Sequence, residues 1–335
     1  MANVDLFPVY AQQMAALQLQ PGQQIVVALG GGADSQTVLD LTLRYREQHP
    51  QYRYLAIHLD HYFHPDSPQW AAFLKAYCAR ANIDAIVEPL AVLQGPRMSK
   101  EEQGREARYQ RMAELMSDDA VLLLGQHQND QVETLLLQLK RGAGPKGLAA
   151  MAAIADFQNA QRICRPLLTV SKAQIYAYAQ QFAVEWIEDT TNTDTRIERN
   201  FMRHEVVPVL CERWPQFLTT ASRSAALCAE QSALLDELLA ERLAERLESD
   251  GRLRLTDWWQ LSAQMQRGLL RAWLYHRQVK APSFALLNEL QTQIQRSQGG
   301  KQVRVSWGLV TVQRKQKWLE LVSISGANSA AENTE

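Results

Sequence analysis

Cysteine is scarce in this chain, and the few cysteines lie far apart. The 335 residues include four of them. They are Cys78, Cys164, Cys211 and Cys228. No Cys-x-x-Cys pair and no Cys/His spacing typical of a metal site occurs, which excludes zinc modules and a disulfide framework. We therefore expect reduced cysteines, most of them structural.

Long apolar runs and an excess of one charge are also missing. No apolar stretch approaches the roughly 18 residues of a membrane span, and the N-terminus lacks the charged-then-apolar pattern of a leader. The formal net charge is −1, so a nucleic-acid surface would have to be a local patch. We expect a cytoplasmic protein without a membrane partner, and the length predicts two domains.

The chain is organised around a glycine turn near its N-terminus. Apolar residues 25–29 predict a buried parallel strand, which Gly30–Gly32 interrupt. A helix then begins near Asp34 and Ser35, and backbone N–H groups converge at such a junction and bind anions. No Gly-Lys-Ser/Thr follows, which excludes a Walker A loop. A carboxylate in an anion loop favours a Mg-nucleotide site, but a plain glycine-rich turn explains this segment equally well.

Polar residues follow two later strands where each strand ends. A strand predicted at 54–61 ends in His58, Asp60 and His61, and another at 121–125 leads into a polar helix start. The polar residues of that helix start include His127, Asp130, Gln131, Glu133 and Thr134. Ligands bind at the carboxyl edge of an open parallel sheet, so these residues favour a site there.

Cationic residues occur in two further segments, and a third segment is polar. Arg105 and Arg108 are three residues apart on a predicted helix and could hold a phosphate or a carboxylate, although a solvated face explains them as well. Arg141 and Lys146 lie in a glycine-rich loop that suits a nucleic-acid backbone or, equally, a helix C-cap. By composition, the polar segment 185–203 is a turn-rich linker.

Strands and helices alternate five times, which predicts an α/β fold with a doubly wound parallel sheet. We place the end of this domain at residue 215. A long helix is predicted at 222–248, within a linking segment, 216–250. Its leucines keep no strict heptad, which favours a helix that connects two domains; a dimer coiled coil is the alternative. Residues 251–324 predict a small α+β domain, and residues 325–335 a disordered tail.

Basic residues of the small domain alternate with Trp307 and Trp318, a pattern that suits RNA, on whose bases aromatic rings stack. These basic residues are Arg296, Lys301, Arg304, Arg314, Lys315 and Lys317. A strand edge guarded by cations explains the pattern equally well.

Beyond the glycine turn, seven motifs occur in a fixed order between residues 24 and 215. They are His58-x-Asp60-His61, Glu101-x-x-x-Arg105-x-x-Arg108-Tyr109, His127-x-x-Asp130-Gln131-x-Glu133-Thr134, Arg141-Gly142-x-Gly144-x-x-Gly147-Leu148, Arg165-Pro166-Leu167-Leu168, Trp186-x-Glu188-Asp189-x-x-Asn192 and Arg199-Asn200-Phe201-x-Arg203. Together with the turn, this set resembles the tRNA(Ile)-lysidine synthetase family of the PP-loop ATP-pyrophosphatases. The resemblance continues more weakly to about residue 322.

The resemblance implies a PP-loop, adenine nucleotide alpha hydrolase-like fold and a two-step reaction. ATP activates the wobble cytidine of a CAU-anticodon tRNA(Ile) as an adenylate and releases pyrophosphate. The ε-amine of free lysine then expels AMP and leaves lysidine. ATP, Mg²⁺, L-lysine and this tRNA are the implied cofactors and substrates, and a homodimer is a further possibility.

Candidate residues follow from this chemistry. The ATP-binding candidates are Gly30, Gly31, Gly32, Ala33, Asp34, Ser35, His58 and Asp60. The catalytic candidates are Asp34, His127, Asp130 and Glu133, with Asp34 and Asp130 positioning Mg²⁺ and His127 or Glu133 as the base or amine anchor. The substrate-binding candidates are Arg105, Arg108, Arg141, Lys146, Asp189, Asn192, Arg199, Asn200 and Arg203.

The chain departs from the family pattern at three points. Gly30 replaces a serine, which removes one hydroxyl donor to phosphate, worth about 1–3 kcal/mol if unreplaced. Asn129 replaces the usual aspartate and removes a negative charge. The third expected departure is the absence of the additional C-terminal domain that longer members carry. Another PP-loop enzyme, or a weakened tRNA-binding homologue, is therefore the alternative, but thiolation enzymes need active-site cysteines that are absent here.

Overall fold

The computed structural model describes residues 4–60, 66–90, 100–188, 194–279, 282–297 and 302–323, without the side chains of 100–102 and 323. The chain divides into two compact units, Met1–Ala229 and Glu230–Glu335. The boundaries predicted at 215 and 250 stay a prediction. Within the described ranges, no helix combines the length and the apolar character that a membrane span requires.

The first unit contains a six-stranded sheet with the order β3-β2-β1-β4-β6-β5. Its strands are β1 (Gln24–Ala28), β2 (Arg53–Asp60), β3 (Asp84–Pro89), β4 (Val121–Leu123), β5 (Ile154–Asp156) and β6 (Arg162–Cys164). All pairings are parallel except that of β5 with β6. The predicted parallel α/β sheet is confirmed, and the antiparallel edge strand β5 was not predicted.

Helices connect these strands and continue beyond them. They are α1 (Phe7–Ala16), α2 (Ala33–Gln48), α3 (Ser67–Arg80), α4 (Lys100–Leu115), α5 (Gln128–Lys140), α6 (Pro145–Leu148), α7 (Lys172–Gln181), α8 (Glu198–Phe201), α9 (Val207–Arg213) and α10 (Phe217–Ala244). A π-helical turn, Met202–Val206, joins α8 to α9. The linker prediction for 185–203 was wrong at its C-terminal end, where α8 begins, and the long helix starts five residues before the predicted 222.

The core of the first unit lies on both faces of the sheet. Ile25 and Val27 of β1 join one apolar cluster, whereas Val26 between them joins another that includes Met112 of α4 and Met116 just after that helix. Successive side chains of a strand point to opposite faces, so a continuous apolar strand is buried on both sides. Burial on both faces leaves the carboxyl ends of the strands as the edge where polar side chains gather.

The second unit has an antiparallel sheet with the order β7-β10-β9-β8. Its elements are β7 (Leu253–Arg254), a 3₁₀ turn (Trp258–Gln260), α11 (Ala263–His276), α12 (Phe284–Arg296), β8 (Arg304–Trp307), β9 (Val310–Lys315) and β10 (Trp318–Ser323). Trp258 and Trp273 are fully buried in its core. The Arg252 guanidinium lies 4.5 Å from the centroid of the Trp318 ring, so this ring is in contact with a cation of the same unit.

Candidate active site

The glycine turn connects β1 to α2 and is closed by its own hydrogen bonds. The Gly30 N–H donates to Ser35 Oγ at 3.2 Å, and that hydroxyl donates to the Gly32 carbonyl at 3.1 Å. Gly32 is the N-cap of α2. The first N–H groups of a helix have no partner within the helix, so the turn presents donors at the carboxyl edge of the sheet.

Glycine is required at position 31 for two reasons. Its φ of +88° lies in the left-handed region, and an added Cβ would lie 3.0 Å from Ile187 Cδ1. The Ile187 N–H donates to the Gly31 carbonyl at 2.9 Å. The segment before residue 189 therefore packs directly on the turn and fixes its shape.

Asp34 projects from the first turn of α2 and binds a residue that the sequence did not single out. Its Oδ2 accepts a hydrogen bond from Lys172 Nζ at 2.7 Å. Its Oδ1 is buried and has no hydrogen-bond partner among the described residues. Lys172 is the first residue of α7, where Ser171 is the N-cap. A cation at a helix N-terminus interacts unfavourably with the helix dipole. A lysine directly after a predicted N-cap was therefore the signal that could have identified Lys172.

His127 lies between two carboxylates. Its Nε2 is 3.4 Å from Asp130 Oδ2 and 3.7 Å from Asp34 Oδ1. The imidazole is 3% exposed, and its Nδ1 has no partner among the described residues. Burial lowers the pKa of His127, although Asp130 and Asp34 act to raise it. The imidazole is therefore neutral at pH 7 and can accept a proton.

Two arginines hold Asp130 and Glu133 in one ion network. Arg199 donates to Asp130 Oδ1 and Glu133 Oε2, both at 2.9 Å. Arg203 donates to Asp130 Oδ1 at 3.0 Å and to Glu133 Oε1 at 2.8 Å. The Glu133 side chain is 1% exposed. Burial acts to raise the pKa of Asp130, but the guanidinium groups of Arg199 and Arg203 and the hydrogen bond from the His127 backbone N–H together outweigh burial and lower it.

The structure thus brings six predicted residues together and adds Lys172. The cluster contains three carboxylates (Asp34, Asp130, Glu133), three cations (Lys172, Arg199, Arg203) and a neutral His127. Its charges balance. A charged ligand that enters therefore alters a balanced set of ion pairs.

Other predicted residues lie at the same sheet edge with different surroundings. Nδ1 of His58 lies 2.9 Å from the Leu29 carbonyl oxygen, and its Nε2 is buried without a partner among the described residues. Burial lowers the pKa of both His58 and Arg108. Arg165, a buried residue from the motifs, donates to the Ala152 carbonyl at 2.7 Å.

The remaining candidates lie elsewhere or outside the described residues. Arg141 and Lys146 are exposed beyond the C-terminal end of α5, roughly 20 Å along that helix from His127. Asn200 is buried and donates to the Asp194 carbonyl at 3.1 Å. Outside the described residues lie Asp189, Asn192, His61 and the side chain of Glu101.

Asn129 has a clear role in positioning Lys172. Its Oδ1 accepts the backbone N–H of Lys172 at 3.0 Å, so Asn129 satisfies an N-terminal donor of α7 from outside the helix. An aspartate oxygen could accept the same hydrogen bond. The departure from the usual aspartate therefore preserves the position of α7.

Asn129→Asp is expected to change the protein little. The hydrogen bond to α7 is retained, and the added charge favours the helix N-terminus by about 0.3–1 kcal/mol. Chemical denaturation should show equal or slightly higher stability, with AMP formation within about threefold of the parent. Asn129→Leu, which lacks the acceptor, should lose stability by about 1–3 kcal/mol. A large gain in turnover for Asn129→Asp would contradict this and mean that the missing charge limits the reaction.

Two family descriptions match the chain. A PP-loop domain covers residues 8–210, and a TilS substrate binding domain covers residues 253–320. The U34-tRNA thiolase NcsA from Methanococcus maripaludis, with its [4Fe-4S] cluster, is 14% identical, with a TM-score of 0.56 over 67% of this chain and 78% of that chain. At that identity, the likeness concerns the fold alone.

Curated relatives are much more similar in sequence. The tRNA(Ile)-lysidine synthase of Idiomarina loihiensis is 53% identical over 91% of this chain and 68% of that protein. The tRNA(Ile)-lysidine synthase of Vibrio cholerae is 40% identical over 97% of this chain and 74% of that protein. Both family domains and these relatives lead to one conclusion: the chain belongs to the tRNA(Ile)-lysidine synthase family.

Proposed function

We propose that this protein forms lysidine at the wobble cytidine of a CAU-anticodon tRNA(Ile), using ATP and free L-lysine and releasing pyrophosphate and AMP. The observation that carries the proposal is the arrangement of Asp34, His127 and Asp130. An anion-binding turn and a neutral imidazole lie within one cluster, as adenylation followed by amine attack requires. The reaction belongs to the AMP-forming carbon–nitrogen ligases.

The first step is assigned to the glycine turn. Its backbone donors, with Ser35, would bind the phosphates of ATP. Mg²⁺ fits this site, because it uses one or two carboxylates together with substrate phosphates, and Asp34 Oδ1 is a buried oxygen that accepts no hydrogen bond from any described residue. Within the described ranges, no cluster of three or more His, Cys, Asp or Glu side chains could hold a metal ion by itself. When bound, Mg²⁺ would neutralise the charge of the departing pyrophosphate.

The second step is assigned to His127 and its neighbours. The ε-amine of lysine is protonated in water and must lose a proton before it attacks. His127 is neutral and buried, and its protonated form would be stabilised by Asp130, 3.4 Å away. Both oxygens of Glu133 already accept guanidinium donors. This favours His127 over Glu133 as the base, with Glu133 holding the arginines in place.

Binding of the tRNA backbone is assigned first to exposed cations of the first unit. Arg105, Arg141 and Lys146 are exposed, and their charge suits phosphates without sequence preference. The TilS substrate binding domain match to residues 253–320 supports a contribution from the second unit. A cytoplasmic location and a homodimer remain predictions from the sequence.

A reconstituted reaction tests the proposal. Purified protein with ATP, Mg²⁺, radiolabelled lysine and a CAU-anticodon tRNA(Ile) should give one lysine incorporated per AMP. The same tRNA with uridine at the wobble position is the control and should accept no lysine. AMP formed only with another donor would indicate a different PP-loop enzyme. Tight tRNA binding without AMP would indicate a weakened binding homologue.

Gly30→Ser is expected to fit and to help. The nearest atom to an added Cβ, Ser35 Oγ, is 4.0 Å away, so the turn has room for the side chain. The hydroxyl adds one donor toward phosphate, and kcat/KM for ATP should rise up to about tenfold. Steady-state AMP formation measures this. A fall in kcat/KM at unchanged stability would mean that the hydroxyl competes with the Gly30–Ser35 hydrogen bond.

A further inference from the structure

Lys172 is the one member of the charged cluster to which neither the motifs nor the proposed steps assign a task. Its ammonium group is 2.7 Å from Asp34 Oδ2 and 5.2 Å from the centroid of the Tyr176 ring. It stands at the first position of α7, a ten-residue helix whose dipole disfavours a cation there. The contact with Asp34 compensates for this placement while Asp34 is available.

We propose that Lys172 is an exchangeable cation: it neutralises Asp34 before nucleotide binds and moves to the β- and γ-phosphate oxygens when Mg²⁺ takes its place on Asp34. The inference rests on the proposed use of ATP by this site. Lys172 is thereby a binding residue for the pyrophosphate that leaves in the adenylation step.

The geometry allows such a movement. The Lys172 side chain is 36% exposed, and a lysine ammonium is a compact charge with three donors on a flexible stem. Its backbone, in contrast, is fixed by the hydrogen bond from its N–H to Asn129 Oδ1. The anchor of the side chain is therefore stationary while its charged end can shift by a few ångströms.

The charge balance of the cluster supplies the reason to move. Asp130 and Glu133 are already held by Arg199 and Arg203, so Asp34 is the carboxylate that depends on Lys172. Once a divalent cation binds Asp34, Lys172 lies next to excess positive charge and is repelled. The nearest new anions are then the phosphates in the adjacent glycine turn. At that turn Gly30 carries no hydroxyl that could donate to a phosphate, so a cation is of most use there.

Calorimetric titrations on the full chain test the exchange with two probes. One is inorganic pyrophosphate in the presence of excess Mg²⁺, and the other is Mn²⁺ without Mg²⁺, pyrophosphate or nucleotide. Lys172→Met should weaken pyrophosphate binding by about 10- to 100-fold, because a charge-assisted contact is lost. The same variant should bind Mn²⁺ several-fold more tightly, because Asp34 is no longer occupied. Lys172→Arg should retain pyrophosphate binding. Lys75→Met, at an exposed site on α3, is the matched control and should leave both affinities unchanged.

Opposite changes in the affinities for the two probes distinguish exchange from a structural role. If Lys172→Met weakens both ligands together and lowers the melting temperature, Lys172 merely supports Asp34 and the proposal is overturned. Unchanged affinity for both probes would overturn it as well. The proposed function fails separately, if Lys172→Met shows both effects but the parent protein incorporates no lysine into tRNA.

Discussion

Asp34→Ala is expected to reduce AMP formation to background, and Asp34→Asn to lower kcat/KM by about 10³-fold. The carboxylate is the only acidic group placed in the first turn of α2, beside the donors of the glycine turn. Removing one preorganised electrostatic contact to developing charge costs about 10²–10³-fold, and Asp34 would also hold the divalent cation. AMP release measured by chromatography with saturating tRNA reports the loss.

The fold should survive both changes. Asp34 Oδ1 has no hydrogen-bond partner among the described residues, and the ion pair of Oδ2 is with the half-exposed Lys172, so little stability is lost. Glu47→Gln is the matched control, a neutralised carboxylate at an exposed position of the same helix, and should retain full activity. Turnover of Asp34→Ala near that of the parent would show that the turn has been misinterpreted.

Gly125→Ala is expected to damage both stability and activity. An added Cβ would lie 2.9 Å from Ser35 N and 3.0 Å from the Asp34 carbonyl carbon, which are backbone atoms of the first turn of α2. Such overpacking costs about 1–3 kcal/mol in free energy of unfolding. A shift of the turn by a fraction of an ångström to 1 Å costs up to about 10²-fold in kcat. Thermal denaturation and AMP formation measure the two effects.

Gly144→Ala is the control for the added methyl group. No atom lies within 4 Å of a Cβ built at Gly144, and its φ is −77°, so alanine fits without strain. This variant should match the parent in thermal denaturation. If Gly125→Ala also matched the parent, the close approach of Gly125 to the first turn of α2 would have no effect on function.

The parallel sheet and its polar edge were predictable because local rules determine them. The apolar run at 25–29 and the glycines after it specify a buried strand and a turn without reference to distant residues. The same holds for Ser171, whose hydroxyl caps α7 as its residue type predicts. The edge strand β5 is three residues long, with little burial at its ends, and no periodicity can reveal so short an element.

Partners within the site were not predictable in the same way. Asp130 and Glu133 were proposed for metal binding and base chemistry, and Arg199 and Arg203 for substrate, yet these four side chains bind one another across about 70 residues of sequence. Opposite charges at that separation carry no local signal. Lys172 has one local signal, a cation at the start of a capped helix, but its partner Asp34 lies 138 residues away in the sequence.

The π-helical turn at Met202–Val206 determines the direction of side chains both in the site and in the core. Such a turn holds one residue more than an α-helical turn, so it shifts everything after it by about 100° around the helix axis. Before the turn, Arg199 faces the carboxylates; after it, Val207 is 5% exposed and packs with Val132 and Ala221. A chain shortened by one residue here could keep only one of these arrangements. The number of residues in this stretch is therefore informative about the site. Relatives that share the paired arginines should also share the extra residue. A relative with one residue fewer here should arrange its arginines and carboxylates differently.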